Sequence, residues 1–115
     1  MTARVRPVDT RPTEAQCQAT IVEAARRGGW LVHAELPALA RDGSWRTAIQ
    51  GDVGFPDLVM VRNGKVLVIE LKRRPRKIDV AQLLWLRKFT AAGIDARLVF
   101  VPENLDSLVS ELLAR

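Results

Sequence analysis

Apolar positions run nearly unbroken from Leu58 to Leu71, interrupted only at Arg62-Asn63-Gly64-Lys65 and at Glu70. Two short Val, Ile and Leu runs flanking Asn-Gly predict a β-hairpin closed by a two-residue type I′ turn. That turn sets the register. Arg62 pairs with Lys65, Val61 with Val66, Met60 with Leu67, Val59 with Val68, Leu58 with Ile69, and Asp57 with Glu70. Counted from the turn, Asp57 and Glu70 form a non-hydrogen-bonded pair, with Cα atoms about 4.5 Å apart. Both faces of the hairpin are apolar away from this end, which predicts cover on both sides.

Helical periods flank the hairpin. Thr13-Glu14-Ala15-Gln16 is a capping box, and Cys17, Ile21, Ala24 and Ala25 then recur at helical spacing as far as about Arg27. Gly28-Gly29 ends that helix. Asp79 and Gln82 open a second helix, to Ala92, with an apolar stripe of Leu83, Leu86, Phe89 and Thr90, widened by Leu84 and Trp85. Gly93 stops it. A third is capped by Asn104 and buries Leu105, Leu108, Val109, Leu112 and Leu113. Trp30 to Glu35 and Ala96 to Val101 read as strands, the second ended by Pro102. Leu36 to Phe55 shows no period and reads as a long loop.

The predicted order is α-β-β-β-α-β-α. The unit from Lys65 to Val101 is a strand–helix–strand crossover to a parallel strand. The expected fold is α/β, an αβββαβ core: a mixed four-stranded sheet with helices on both faces and an extra C-terminal helix. Residues 1–12, polar with Pro7 and Pro12, are expected to form a flexible arm, and residues 13–115 one domain.

The chemistry gathers at one end of the hairpin. Lys72 lies two residues beyond Glu70 and shares its face. Like charges set opposite one another destabilise a sheet, so Asp57 facing Glu70 points to a cation between them. A turn acid and a solvated edge pair would be the bland alternative.

Composition adds a partner class. The chain carries 18 Lys and Arg against 13 Asp and Glu, a net charge of +5, which favours nucleic acid. Arg73, Arg74, Arg76 and Lys77 follow the acid pair and are candidates to contact phosphate, as are Arg41 and Arg46 in the loop. Trp45 is suited either to stacking on a base or to packing on the core. In the arm, Arg4, Arg6 and Arg11 are more simply a solvated tail. A single cysteine, Cys17, excludes an internal disulfide, and a single histidine, His33, excludes a His/Cys zinc site. With no membrane-spanning apolar run and no signal-peptide core, the expected location is cytoplasmic.

Taken together, these pieces resemble the PD-(D/E)XK nuclease superfamily, through Pro56-Asp57 and Glu70-Leu71-Lys72 on adjacent strands. More narrowly the chain resembles the stand-alone VRR-NUC domains common in phages. The shared pattern is Glu14, Gly29-Trp30, Gly54-Phe55-Pro56-Asp57, Glu70-Leu71-Lys72, Gln82-Leu83-Leu84-Trp85 and Ala92-Gly93, covering about Thr13 to Leu113. The resemblance implies a Mg²⁺- or Mn²⁺-dependent DNA endonuclease with a taste for branched or forked DNA. Its relatives include Holliday-junction-resolvase-like enzymes and the nuclease domain of Fanconi-associated nuclease. It implies Asp57, Glu70 and the Leu71 carbonyl as metal ligands and Lys72 as the residue that orients water or neutralises charge. Gln82 would bond Lys72, water or phosphate besides capping its helix. Glu14, or Glu23 on the same helix, would be the first-helix acid. Two symmetric nicks at a four-way junction favour a C2 homodimer. The alternatives are a nucleic-acid-binding module with a vestigial site and a sequence-specific restriction-type endonuclease.

Overall fold

The computed structural model describes residues 7–36, 38–39, 45–46 and 49–115, with the backbone alone for 38–39 and 45–46. Arg4, Arg6 and Arg41 lie outside the described residues, as do the side chains of Trp45 and Arg46. The elements are α1 (Glu14–Arg27), β1 (Leu31–Ala34), β2 (Ala38–Leu39), β3 (Trp45–Arg46), β4 (Leu58–Arg62), β5 (Lys65–Lys72), α2 (Val80–Ala91), β6 (Asp95–Phe100) and α3 (Leu105–Leu113). Four strands form one mixed sheet in the order β1-β4-β5-β6. β1 and β4 are antiparallel, as are β4 and β5, while β5 and β6 run parallel through the α2 crossover. The expected fold class is therefore observed. One local correction concerns the stretch read as plain loop: β2 and β3 pair there as a small antiparallel ribbon. Two-residue strands carry too few positions to show a period.

Asn63 and Gly64 both take positive φ, 49° and 76°, as a type I′ turn requires. The β4–β5 register is the one counted from that turn, Arg62 with Lys65 through Leu58 with Ile69. Side chains then alternate between the two faces. Leu58, Met60, Leu67, Ile69 and Leu71 join Cys17, Ile21 and Ala25 of α1 and Leu108 and Leu112 of α3 in the main core. The other face carries Val59, Val61, Val66, Val68, Glu70 and Lys72, and α2 packs on β6 and β5.

The expected cover on that second face is incomplete. Val68 is fully buried, but Val61 is 40% exposed. The stripe expected on α2 is thinner too: Leu86 is its one buried residue, while Leu84 and Thr90 are exposed. Trp85 and Phe89 turn towards Phe55, with ring centroids 5.1 and 6.1 Å from it. On α3, Leu113 is exposed, and Asn104 stands at the N-cap without capping. Its side-chain amide closes the preceding turn by donating to the Phe100 carbonyl at 3.1 Å.

The hairpin is tied to the helix ends by Arg62. Its guanidinium stacks over Trp30 at 4.3 Å and donates to the carbonyls of Gly28 and Leu112, at 2.9 and 3.1 Å. Those carbonyls belong to the C-terminal ends of α1 and α3, where acceptors lack helical partners and a cation is favoured. Gly28 permits the approach, because a Cβ there would lie 2.0 Å from the Leu112 oxygen. No helix among the described residues is long and apolar enough to cross a membrane.

Candidate active site

Proline and the turn together build the acid pair. The last hydrogen-bonded ladder pair is Leu58–Ile69, and continuing the register sets Asp57 opposite Glu70 and Pro56 opposite Leu71. Pro56 has no N–H to give, so the ladder ends there. The Leu71 N–H donates instead to Asp57 Oδ2 at 2.8 Å. The Leu71 carbonyl projects to the same edge and receives no ladder bond from Pro56. On its other side the Asp57 carbonyl accepts from the Glu35 N–H at 3.0 Å, which fixes its backbone between β1 and β5.

The approach to Asp57 is pinned on α2. Gly54 has φ 91° and sits so close to the first turn of α2 that a Cβ would lie 2.7 Å from the Ala81 carbonyl carbon. Trp85 Nε1 donates to the Val53 carbonyl at 3.0 Å. The Gly-Phe-Pro-Asp run is thus a strap held by the helix that also supplies Gln82. The Gln82 side chain serves two ends at once. Its Oε1 accepts from the Asp79 N–H at 3.2 Å, half of a reciprocal capping box, and its Nε2 lies 3.5 Å from Glu70 Oε1.

Glu70 and Lys72 are both 2% exposed. Lys72 Nζ lies 3.9 Å from Glu70 Oε1. Glu70 Oε2 is buried with no hydrogen-bond partner. Burial, and after it the facing Asp57 carboxyl, push Glu70 up to about 9. A buried carboxylate oxygen without a donor is costly, and either a proton or a bound cation relieves it.

Other expected site residues stand further out. Glu14 adds its field at Glu70 but is ion-paired with Arg76 at 3.3 Å. Glu23 lies nine residues on, half a turn round α1, exposed and bonded to Arg27 at 2.8 Å. Of the two acids on α1, Glu14 is therefore the one at this end of the sheet. No three His, Cys, Asp or Glu side chains gather as a metal cluster among the described residues.

The basic run is less free than its sequence implies. Arg73 is bonded to Asp9 at 2.8 Å and to the Pro12 carbonyl at 2.9 Å. Arg74 pairs with Glu103 at 3.4 Å and lies 4.0 Å over the Phe100 ring. Arg76 holds Glu14, and Lys77 is exposed. The arm from Asp9 to Pro12 is accordingly tied down by Arg73.

A cleft of about 660 Å³ opens in front of Asp57 and Gln82, walled by Glu35, Asp52, Phe55 and Trp85. Sequence reading passed over Glu35 and Asp52 as wall residues. The one available signal was their placement at the two ends of the unpatterned stretch that leads into Asp57.

No family model and no curated protein matches the chain. Among solved structures, a chain described as "VRR_NUC domain" superposes with a TM-score of 0.60 at 24% identity, covering 84% of this chain and 94% of that one. With the sheet order and the register described above, that likeness fixes the architecture: the fold of this chain is that of the VRR_NUC domain.

Proposed function

We propose that this chain is a Mg²⁺- or Mn²⁺-dependent DNA endonuclease, selective for branched, forked or four-way-junction DNA and working as a homodimer. The observation that carries the reading is Asp57 set opposite Glu70, with a buried, partnerless carboxylate oxygen beside the buried Lys72. The shared VRR_NUC fold and the net charge of +5 support it.

The donor set fits such an ion. Two carboxylates and the Leu71 carbonyl are hard oxygen donors, and small hard cations complete their shells with water. When bound, the ion supplies Lewis acidity for the phosphodiester and a water activated near neutral pH. The chain's own groups do the rest. The Leu71 N–H fixes Asp57 through Oδ2, and Gln82 steadies Glu70 through Oε1. Lys72 orients the attacking water or balances charge building on the phosphoryl oxygens. Glu14, on α1 and ion-paired with Arg76, would accept from a water in this reading. The cleft beside Asp57 admits the strand.

The test is cleavage of labelled duplex, flap, fork and four-way-junction DNA with Mg²⁺, Mn²⁺ or EDTA. Branched substrates should be nicked with either ion and spared in EDTA. Asp57→Ala, Glu70→Ala and Lys72→Ala should each lose at least about 10²-fold in rate, the scale of removing one transition-state contact, while still melting cooperatively. Undiminished cleavage in EDTA, or by Glu70→Ala, overturns the reading. Binding of every substrate with no cutting would return the chain to the binding-module class.

A further inference from the structure

The arm ahead of α1 is held by charge. Val8 is 85% exposed, so the arm buries little apolar surface there. Its ties converge on one carboxylate. Asp9 Oδ2 lies 2.8 Å from a terminal guanidinium nitrogen of Arg73 and 2.8 Å from one of Arg11. Asp9 Oδ1 accepts from Arg11 Nε at 3.0 Å and from the Arg11 N–H at 3.1 Å. Arg73 also donates to the carbonyls of Pro12 and Arg11, at 2.9 and 3.4 Å. Two guanidinium groups thus grip one anion. Planar forks of this kind take phosphate as readily as carboxylate.

Position gives the grip a use. Arg73 directly follows Lys72, at the end of the sheet where Asp57 faces Glu70. Its side chain is only 21% exposed and is fixed by the Pro12 carbonyl, whereas Asp9 is 46% exposed. Arg73 is the better-buried half of the receptor, while Arg11, 37% exposed, sits two residues from Asp9 in the same arm. Asp9 is also the one acid among the first twelve residues, which otherwise carry Arg4, Arg6 and Arg11. Exposed ion pairs contribute little to stability, so exchange for another anion is easy.

We propose that Arg11 and Arg73 form a binding site for a non-scissile backbone phosphate of the nucleic-acid substrate, and that the Asp9 carboxylate occupies it until the strand arrives. This rests on the proposed function only in taking nucleic acid as the ligand. Asp9 then lowers affinity by competing, and a bound strand displaces its carboxylate while the carbonyls of Arg11 and Pro12 stay on Arg73.

The test is equilibrium binding of a labelled four-way junction and of a duplex, in EDTA to prevent cutting, across a NaCl series. Asp9→Asn keeps the shape and removes the charge. It should tighten binding about 3- to 10-fold and steepen the slope of log K against log salt by about one unit, the increment for one phosphate contact. Arg73→Gln should weaken binding and abolish the gain from Asp9→Asn in the double variant. Glu23→Gln, on the far side of α1, is the control for net charge. The proposal is overturned if Asp9→Asn binds no tighter than the parent, if its gain survives Arg73→Gln, or if Glu23→Gln gains as much. It also falls if the parent and Asp9→Asn bind no DNA. A chain that shows the Asp9 effect but cuts nothing keeps this inference and loses the nuclease reading. A chain that cuts without the Asp9 effect does the reverse.

Discussion

Glu70 is held in two conflicting ways. Burial and the nearby Asp57 favour its protonated form, while Lys72 favours the charged one, and the balance lies at about 9 against an ordinary 4.5. The sign of the consequence follows from linkage. Between those values the folded chain keeps a proton that the unfolded chain has lost, so unfolding releases it and stability falls as pH rises. In EDTA the melting temperature should drop from pH 5 to pH 9, by at least the roughly 4 °C that about 1 kcal/mol produces in a small domain. Glu70→Gln, which cannot ionise, should flatten that slope. Mn²⁺ should raise the melting temperature more at pH 8.5 than at pH 5.5, because ligation needs the deprotonated carboxyl. A metal-free profile identical in parent and Glu70→Gln would show that this carboxyl is not the titrating group. Much of this was legible from spacing, since Asn63-Gly64 counts Asp57 onto Glu70 without tertiary information. Pairing of Arg73 with Asp9 was not legible, because 64 positions separate them and no periodicity links an arm to a strand end.

At the scale of elements, the hairpin is the positioning device, and it makes a sharper claim than any single substitution. A residue inserted after Met60 shifts every side chain between it and Asp57 to the opposite face unless a bulge absorbs it. A Gly added between Asn63 and Gly64 lengthens the turn to three residues, a length hairpins accept with pairing intact. The turn insertion should keep substantial nicking activity. The Met60 insertion should lose activity and several degrees of melting temperature, since Leu58 and Met60 are fully buried. Nicking assays beside thermal melts of both variants decide it; equal tolerance would leave the acids without their structural basis. α2 shows where such reading stops. Its sequence has helical spacing, yet the helix packs chiefly on β6 and spends Trp85 and Phe89 on the strap ahead of Asp57. Periodicity reports that a helix has an apolar side, and the sheet area it covers depends on partners far away in sequence.

At the scale of the whole molecule, the proposed activity has one acid pair cut one strand at a time, and the proposed junction substrate needs two symmetric nicks. Two copies related by a two-fold axis supply them, with the same patch of each chain meeting its counterpart. The sheet offers such a patch at the end opposite the strap. Leu31 pairs with Val61 across β1 and β4, and the two are 77% and 40% exposed where α2 no longer covers the face. β1 is also an edge strand, which favours contact with another chain. Multi-angle light scattering at micromolar concentration should therefore give twice the monomer mass, and Leu31→Glu should return the protein to a monomer by placing a charge on each side of the axis. In that variant a single nick in a four-way junction should persist while paired nicking falls, because the proposed site draws all its residues from one chain. A parent that stays monomeric alone and with junction DNA would make single-nick cutting of forks or flaps the working activity. A dimer indifferent to Leu31→Glu would move the interface to another face.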